Sequence, residues 1–411
     1  MGSKAVLLDQ KFWTHFSDKI WEKKHLAVKN VKSPLLEIGE TEIFRLLVFF
    51  SDRCRKNRNA AGFKFYIDGI QTHPEDVLQI LPVKKDKTLL GYHRRMNSLF
   101  SDYCLVCDDL LKANAEKQAL LTDFTAELYR HTGFPNRFSE MGLYLGNYRK
   151  TPFGVHVDRC GVFSFPVVGQ KKFRLWTSDY VQKHPALDRA FSYSQFKKDS
   201  VVMVAEAGDM TYWPSSAWHI AESDGRFSAT WSLGVWVDKP HREFFSESLN
   251  LLLSEKMGAS GESVGTKFQN LHKSTGEVTE LPAAFMNSIN LLKALTTTEL
   301  EENFLKSWMQ HISLQGFKNL PQGSAKPSLN SRVSLRSPRT QILWQTSRLQ
   351  KNKVLCSFGG VLIETKKSGG LLKLIKALNE GKTCLVSDFI KATGKTDLHS
   401  LRKLAEPGAL T

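Results

Sequence analysis

The stretch GDMTYWPSSAWH, residues 208–219, decides the fold that this sequence predicts. Gly208 and Asp209 are typical of a tight turn, because glycine adopts positive φ and aspartate forms Asx-type hydrogen bonds. A short β-rich run follows, and a loop led by Pro214 then carries the chain to His219. We expect this segment to return an imidazole to the mouth of a β-barrel.

The surrounding region, from Met141 to Val237, consists of short β-rich runs separated by turns. Runs of β-branched and aromatic residues at this spacing predict a compact all-β sandwich or barrel. Helical stretches precede it, as at Phe12–Glu22 and Ala115–Thr132, and others follow it. The predicted strands are Gly142–Tyr148, Val162–Val168, Phe173–Trp176, Val201–Val204, Met210–Trp213 and Phe227–Val237.

His156 and Asp158 are the candidate metal ligands of this region. Because residues two apart on a β-strand project from the same face, an imidazole and a carboxylate can meet at one point. Two histidines and a carboxylate on one face of an octahedral iron leave positions for a 2-oxo acid and dioxygen. His219, sixty-one residues beyond Asp158, is the candidate third ligand. Alone, the pair His156 and Asp158 is weak evidence for a metal site, because such pairs arise by chance and a histidine on a strand is commonly an ordinary core or surface residue.

Further stretches place this pair in an ordered set of motifs. GQKKFRLW (169–176) follows the pair, the 208–219 stretch comes next, and SATWSLG (228–234) closes the region. With IWEKKHLAV (20–28), they resemble the JmjC and cupin-type 2-oxoglutarate oxygenases, most closely the ribosomal-oxygenase-like branch. His25 stands where that family usually has proline. The resemblance spans nearly the whole chain, loosely at residues 40–140.

The resemblance implies an α+β protein built on a double-stranded β-helix, the jelly roll of cupins and JmjC proteins. It implies N-terminal helices around the jelly roll, a helical linker or dimerisation segment, and a C-terminal winged-helix-like domain. We place the boundaries at residues 1–240, 241–330 and 331–411. Whether the middle segment only links domains or forms a homodimer is left open. The Gly- and Pro-rich stretch Gly316–Thr340 is the predicted interdomain linker.

The resemblance also implies the co-substrate residues, and no catalytic residue beyond the metal ligands. Lys171, fifteen residues beyond the first histidine, would bind the distal carboxylate of 2-oxoglutarate. A buried ammonium is stable mainly when a carboxylate pairs with it. Tyr144 is the other candidate that the resemblance gives for binding 2-oxoglutarate. Ser228, Thr230 and Ser232 alternate along the last strand and face one side, so one of them, with Thr230 ranked first, can hydrogen-bond co-substrate or substrate. As alternatives, Lys171 is an ordinary exposed strand lysine and Tyr144 is core packing.

On this resemblance the protein is an Fe(II) and 2-oxoglutarate dependent dioxygenase that hydroxylates an amino-acid side chain in a protein or peptide. Succinate and carbon dioxide are co-products, and ribosomal proteins are the known targets of the nearest branch. Two alternatives keep the chemistry: a tailoring oxygenase of a free amino acid or biosynthetic peptide, and an N-methyl demethylase. An alternative of another class is a non-catalytic metal-binding cupin regulator with a nucleic-acid-binding C-terminal module.

The basic character of the chain is concentrated at its C-terminus. The formal net charge is +16, and residues 331–411 contain fifteen Lys and Arg against five Asp and Glu. Basic surface gains affinity for phosphate by releasing counterions, so nucleic acid is one candidate partner of this region.

The last two regions have predicted elements of their own. The middle segment has helical patterns at Arg242–Glu255, Pro282–Leu295 and Thr298–His311. The C-terminal region reads strand, helix, short extended segment and two further helical stretches, an order that suits a winged helix. These elements are Val354–Thr365, Leu371–Leu378, Cys384–Val386, a helix capped by Ser387, and Asp397–Leu404.

Cysteine usage predicts a cytoplasmic protein. Six cysteines scattered over 411 residues form no disulfide framework, which is typical of a reducing compartment. Cys104 and Cys107 have the spacing of half a zinc site, but no second pair follows, and buried free cysteines are the favoured interpretation. No apolar run is long enough for a membrane-spanning helix, so we expect no membrane partner.

Overall fold

The chain folds into two compact units. The computed structural model describes residues 5–223, 225–257, 281, 283–321, 323, 325–337 and 340–411. Unit 1 comprises Met1–Asp238 with Gln315–Gln322, and unit 2 comprises Lys239–Leu314 with Gly323–Thr411. The three domains drawn from the sequence stay a prediction.

Unit 1 combines helices with two antiparallel sheets and the parallel pair of strands Val6–Leu7 and Val31–Lys32. Its helices are α1 (Gln10–Lys19), α2 (Glu40–Asn57), α3 (Pro74–Ile80), α4 (Leu89–Asn97), α5 (Ala115–Thr132) and α6 (Ser178–Lys183). Its strands are β1 (Val6–Leu7), β2 (Leu26–Val28), β3 (Val31–Lys32), β4 (Phe63–Ile67), β5 (Ile70–Gln71), β6 (Tyr103–Asp108), β7 (Phe138–Gly146), β8 (Gly161–Val168), β9 (Gln170–Trp176), β10 (Val201–Glu206), β11 (Met210–Trp213), β12 (Trp218–Glu222) and β13 (Ser228–Trp236).

Two sheets of unit 1 enclose a central cavity. The larger has the strand order β2-β11-β8-β13-β7-β6-β4-β5, and the smaller has the order β10-β9-β12. Alternation along each strand turns every second side chain into the cavity. On β13, Thr230 and Ser232 line the cavity, whereas Trp231 and Leu233 are buried in the core on the other face.

Aromatic packing fixes the N-terminal helices on the outer face of the large sheet. Asp9 caps α1 by accepting a hydrogen bond from the backbone N–H of Phe12 at 2.9 Å. Trp13 and Phe16 of α1 pack on Phe163 of β8, with ring centroids 6.4 and 5.4 Å apart. Helix α5 has the predicted bounds.

The prediction of a mostly helical region before residue 140 is wrong, because strands β1 to β6 also lie there. β6 pairs with β7, and β4 pairs with β6, so both extend the large sheet. Cys104 and Cys107 belong to β6, whose side chains are almost all buried. The two thiols therefore lie inside the protein and not in a metal-binding loop at the surface. All six cysteines are free and buried, as predicted.

Unit 2 combines helices with short strands, and nearly all of its predicted elements are present. Its helices are α7 (His241–Met257), α8 (Ala283–Ala294), α9 (Thr297–Ser313), α10 (Gly369–Asn379) and α11 (Lys395–Ala405), and its strands are β14 (Arg332–Val333), β15 (Leu343–Thr346), β16 (Lys353–Phe358), β17 (Val361–Lys366) and β18 (Cys384–Leu385). Pro282 lies outside the described residues. The winged-helix assignment stays a prediction.

Two predicted elements of unit 2 are wrong. The single strand Val354–Thr365 is a hairpin, because Gly359 and Gly360 both adopt positive φ and reverse the chain. The helix capped by Ser387 is a 3-10 turn, Val386–Asp388. A Cβ on Gly370 would lie 2.2 Å from the carbonyl oxygen of Phe389, so close packing on α10 fixes this segment in a non-helical path.

The predicted linker Gly316–Thr340 belongs to the two units themselves. Its residues up to 322 are part of unit 1, and the rest are part of unit 2. Phe317 is buried in the core of unit 1 and bridges Ser139. β14 pairs with β18 within unit 2. Among the described residues, the structure has no helix that is both long and apolar enough to cross a membrane.

Candidate metal centre

His156 and His219 lie side by side at the mouth of the cavity. His156 belongs to the loop between β7 and β8, and His219 is the second residue of β12. Their backbones form an antiparallel bridge, in which His156 N donates to His219 O at 3.0 Å and His219 N donates to His156 O at 2.8 Å. The ring centroids are 4.4 Å apart.

The prediction that His156 and Asp158 share a β-strand is wrong. The chain turns at Gly154 and Arg159, which both adopt positive φ, so only His156 keeps a bridge to a neighbouring backbone. A Cβ at residue 154 would lie 2.6 Å from the carbonyl oxygen of Arg189, which explains the glycine there. The two side chains nevertheless meet, as expected.

Asp158 contacts both imidazoles. Its Oδ1 lies 3.3 Å from His156 Nε2, and its Oδ2 lies 3.3 Å from His219 Nε2. His156 Nδ1 donates to Gly154 O at 2.9 Å, and His219 Nδ1 donates to Ala217 O at 3.2 Å. With both ring nitrogens protonated, an imidazole donates from Nε2 to the carboxylate, and a bound cation would take the place of that proton and accept the Nε2 lone pair.

The three side chains therefore have the donor set of a facial triad. One ligand atom from each lies within 4.8 Å of the others, and no other such group occurs in the part of the chain that the structure describes. Burial raises the pKa of Asp158, but the charge of His219 and hydrogen bonds from both histidines hold it well below its usual value. Burial lowers the pKa of His156, and Asp158 outweighs this and raises it. Two imidazoles and a carboxylate fit iron(II).

The triad opens into a pocket between the two sheets. Each residue predicted for the site lines this cavity, including the three co-substrate candidates. The large sheet contributes Tyr144, Val162, Trp213, Thr230 and Ser232, and the small sheet contributes Lys171, Phe173, His219 and Ala221.

Lys171 is a buried cation on the wall of this cavity. Its side chain is only 2% exposed, so the alternative of an ordinary exposed strand lysine is wrong. Its Nζ hydrogen-bonds the hydroxyl of Tyr148 and lies 3.8 Å from the centroid of that ring. Burial lowers the pKa of Lys171 to about 7. Among the described residues it has no salt bridge to a carboxylate, so a carboxylate ligand fits here.

Among the described residues, two side chains that line the cavity each have a buried polar atom without a hydrogen-bond partner. These atoms are Oγ1 of Thr230 and Nε1 of Trp213. A buried donor left unpaired costs about 1–3 kcal/mol, so a polar ligand or water at these atoms is stabilising. Tyr144 is half-buried, and burial followed by the charge of Asp158 raises its pKa far above the usual value. Its hydroxyl therefore stays protonated and can donate.

Sequence reasoning missed Tyr148 and Trp213 as residues of the site. Tyr148 follows Tyr144 by four positions, so strand alternation carried beyond the end of β7 was a signal for it. For Trp213 the sequence left cavity lining and core packing open and favoured core packing. In the structure Trp213, at the end of β11, lines the cavity, and its buried N–H has no hydrogen-bond partner among the described residues.

Comparison with known proteins identifies the barrel. The family model described as the JmjC domain matches residues 123–242. This part of the chain is a JmjC domain. The match confirms the family predicted from the motifs, and the region contains the triad and all three co-substrate candidates. The chain thus combines the domain type and the ligand cluster of the metal- and 2-oxoglutarate-dependent oxygenases.

Solved structures of YcfD from Escherichia coli share the fold along nearly the whole chain. An X-ray structure of YcfD superposes with a TM-score of 0.53 at 16% identity, and 97% of each chain is covered. A structure of YcfD, described as a ribosomal oxygenase, in complex with cobalt and succinic acid superposes with a TM-score of 0.53 at 15% identity, again over 97% of each chain. The complex of YcfD with cobalt and 2-oxoglutarate superposes with a TM-score of 0.51 at 14% identity, with the same coverage. No curated protein gives a significant sequence match.

Proposed function

We propose that this JmjC protein is an Fe(II) and 2-oxoglutarate dependent dioxygenase that hydroxylates an amino-acid side chain in a protein or peptide. The observation that carries the proposal is the convergence of three features on one cavity. These are a His-Asp-His cluster, a buried lysine without a carboxylate partner, and buried polar atoms without hydrogen-bond partners.

Each of these residues has a role toward the bound groups. The two histidines and Asp158 would hold iron(II) on one face and leave the opposite face open. Lys171 would bind the distal carboxylate of 2-oxoglutarate, in place of its present contact with Tyr148. Thr230 and Tyr144 would donate hydrogen bonds to the same co-substrate. Iron(II) with 2-oxoglutarate supplies an oxidant from dioxygen that attacks an unactivated C–H bond, with succinate and carbon dioxide as co-products.

The remaining walls of the cavity exclude water from this chemistry. Val162, Phe173 and Trp213 present apolar surface beside the triad. A dry pocket strengthens the contact between the ammonium and a carboxylate, because a low dielectric screens charges less than water does. The protein's own contribution is therefore orientation and the protection of reactive species.

A ribosomal protein is the proposed substrate class. The support is the shared fold with YcfD, which is described as a ribosomal oxygenase. The basic C-terminal region supports the same class, since fifteen Lys and Arg against five Asp and Glu suit a surface that touches ribosomal RNA beside the modified protein.

Anaerobic titration with Fe(II) and 2-oxoglutarate tests the proposal through the visible charge-transfer band of the chelate. We expect a band with the wild-type protein, no band with His156→Ala, and a much weaker affinity for 2-oxoglutarate with Lys171→Met. Lys172→Met is the matched control, because Lys172 is adjacent and its Nζ lies 4.0 Å from Glu222. A wild-type protein without the band contradicts the proposal.

The substrate is then found by mass spectrometry of ribosomal proteins incubated with wild-type protein or His156→Ala. Gain of one oxygen atom on a side chain indicates hydroxylation. Loss of one methylene unit indicates N-methyl demethylation instead.

A further inference from the structure

We propose that Glu22 is a positioning residue for the metal ligand His219. Its carboxylate binds the loop Pro214–Ala217, which leads from β11 into β12 and ends directly before the ligand strand. This inference rests on the proposed metal site, and it assigns a role to a residue that does not line the cavity.

The carboxylate of Glu22 accepts hydrogen bonds from three groups. Ser215 N lies 3.3 Å from Oε1 and 3.2 Å from Oε2, and the Ser215 hydroxyl donates to Oε2. The Tyr212 hydroxyl donates to Oε1 at 3.0 Å and accepts from the backbone N–H of Glu22 at 2.9 Å. A carboxylate held by several donors is a strong anchor, because hydrogen bonds to charged groups are stronger than those between neutral groups.

The anchored loop orients the imidazole through Ala217. Ala217 N donates to Pro214 O at 3.0 Å and closes the turn that contains Ser215. The carbonyl oxygen of Ala217 then accepts from His219 Nδ1 at 3.2 Å. This contact sets which nitrogen of His219 faces the metal. A continuous path of contacts therefore leads from Glu22 to the lone pair of Nε2.

Glu22 also lies against the loop that carries the other two ligands. A Cβ on Gly161 would lie 2.7 Å from Glu22 Oε1, so the backbone after Asp158 and Cys160 passes directly beside the carboxylate. One carboxylate thus binds the loop before the strand of His219 and lies beside Gly161, three residues after Asp158.

The chain around Glu22 is built to hold this side chain in place. Glu22 has φ of 51°, a left-handed conformation that is unfavourable for a residue with a Cβ. Trp21 stacks on Tyr212 and Phe163, with ring centroids 5.6 and 6.4 Å apart. Strain of this kind persists where the surroundings fix it, and it is concentrated at functional sites.

Asp209 provides a matched control within the same unit. It lies immediately before β11, whereas the loop that Glu22 binds follows β11. Its carboxylate accepts from the backbone N–H groups of Glu206 and Asn30 at 2.9 and 3.1 Å, and it pairs with Lys29 at 2.6 Å. It therefore anchors backbone in the same way as Glu22, but not the backbone beside the ligands.

Cobalt(II) affinity and the visible cobalt spectrum of the full chain test the inference. We expect Glu22→Ala to bind cobalt about 10-fold to 100-fold more weakly than wild type, the range for residues that orient metal ligands. Its ligand-field bands should also shift. Glu22→Gln keeps an acceptor for Ser215 and should recover most of the affinity. Asp209→Ala should lower thermal stability and leave the cobalt affinity within about twofold of wild type.

Each outcome bears on the inference. Cobalt binding by Glu22→Ala that equals wild type in affinity and spectrum overturns it, as does an equal loss in Asp209→Ala. If Glu22→Ala does not fold, Ser215→Ala decides, since it removes only the hydroxyl donor to Glu22, and cobalt affinity and spectrum equal to wild type in this variant overturn the inference. Wild-type protein that binds no cobalt overturns the proposed function itself, and this inference with it.

Discussion

The two faces of β13 differ in what they contribute to the protein. Ala229, Trp231 and Leu233 point into the main core and are completely buried. Thr230 and Ser232 point into the cavity, and the Thr230 hydroxyl has no partner. One strand therefore supports stability on one side and ligand binding on the other. Neighbouring residues of one strand point to opposite faces of the sheet. A substitution at one position therefore affects the stability of the fold, whereas a substitution at the next position affects ligand binding.

The largest effect is expected from Asp158→Ala, on the cavity side. The variant should lose metal binding and all 2-oxoglutarate turnover, because a carboxylate ligand and its negative charge are gone. The melting temperature of the metal-free protein should fall by less than about 4 °C, the shift expected for about 1 kcal/mol in a domain of this size. Calorimetry of the metal-free protein and a succinate assay measure the two effects. A large drop in melting temperature would contradict the separation of the two faces.

Trp231→Ala, on the core side, should show the opposite pattern. Removing a fully buried tryptophan costs about 3–5 kcal/mol through lost burial and the resulting cavity. Urea unfolding measures this loss. At low temperature the folded fraction should bind Fe(II) and 2-oxoglutarate as wild type does. Loss of the chelate band in folded protein would show that the two faces are coupled.

Lys171→Met should weaken 2-oxoglutarate binding about 10-fold to 100-fold, the loss expected for one charge-assisted contact. Iron binding should remain, since Lys171 contacts no metal ligand in the structure. Titration of the chelate band with 2-oxoglutarate gives the affinity. If Lys171→Met binds 2-oxoglutarate with wild-type affinity, Lys171 does not bind the co-substrate and has a structural role instead.

The same substitution changes the pH dependence of stability. Burial lowers the pKa of Lys171 from 10.5 to about 7, so above pH 7 the unfolded chain binds one more proton than the folded chain. The contribution of Lys171 to the free energy of unfolding of metal-free protein should therefore rise between pH 7 and 10 and stay constant below pH 7. Lys171→Met should lack this contribution and be more stable than wild type at pH 7. Urea unfolding of both proteins across this range checks the sign.

Thr230→Val is expected to have the smallest effect. The change keeps the shape of the side chain and removes an unpaired hydroxyl, so the metal-free protein should be equally or slightly more stable. Affinity for 2-oxoglutarate should fall about 3-fold to 10-fold, the value of one hydrogen bond. Ser228→Ala is the control, because Ser228 lies on the same strand and does not line the cavity. An equal loss in the control would remove the special role of Thr230.

Local patterns predicted the parts of the fold whose signals are local. Helix α5 and strand β11 have the predicted bounds, since Asn114 caps the helix and the Gly208 turn sets the start of the strand. The extension of the large sheet by β4 and β6 was missed, because long-range pairing leaves no local signature when both faces of a strand are buried. Ser387 is a good capping residue and predicted a helix, but close packing against α10 leaves only the 3-10 turn Val386–Asp388 there.

The site was predicted better than its supports. The triad, Lys171, Tyr144 and Thr230 meet in one cavity, because motif order and alternation determine which side chains point inward. Tyr148 and Glu22 act through hydrogen bonds across long stretches of sequence. Such contacts depend on the folded geometry of loops, which no spacing rule describes.

The backbone bridge between His156 and His219 has a consequence for metal exchange. Two hydrogen bonds between main-chain groups hold the ligand histidines as neighbours, whatever occupies the space between their side chains. The entropy of bringing two ligands together is thus lost during folding and not during metal binding. Such a site should load and release divalent ions without unfolding, so that different metals can be compared on one unchanged scaffold.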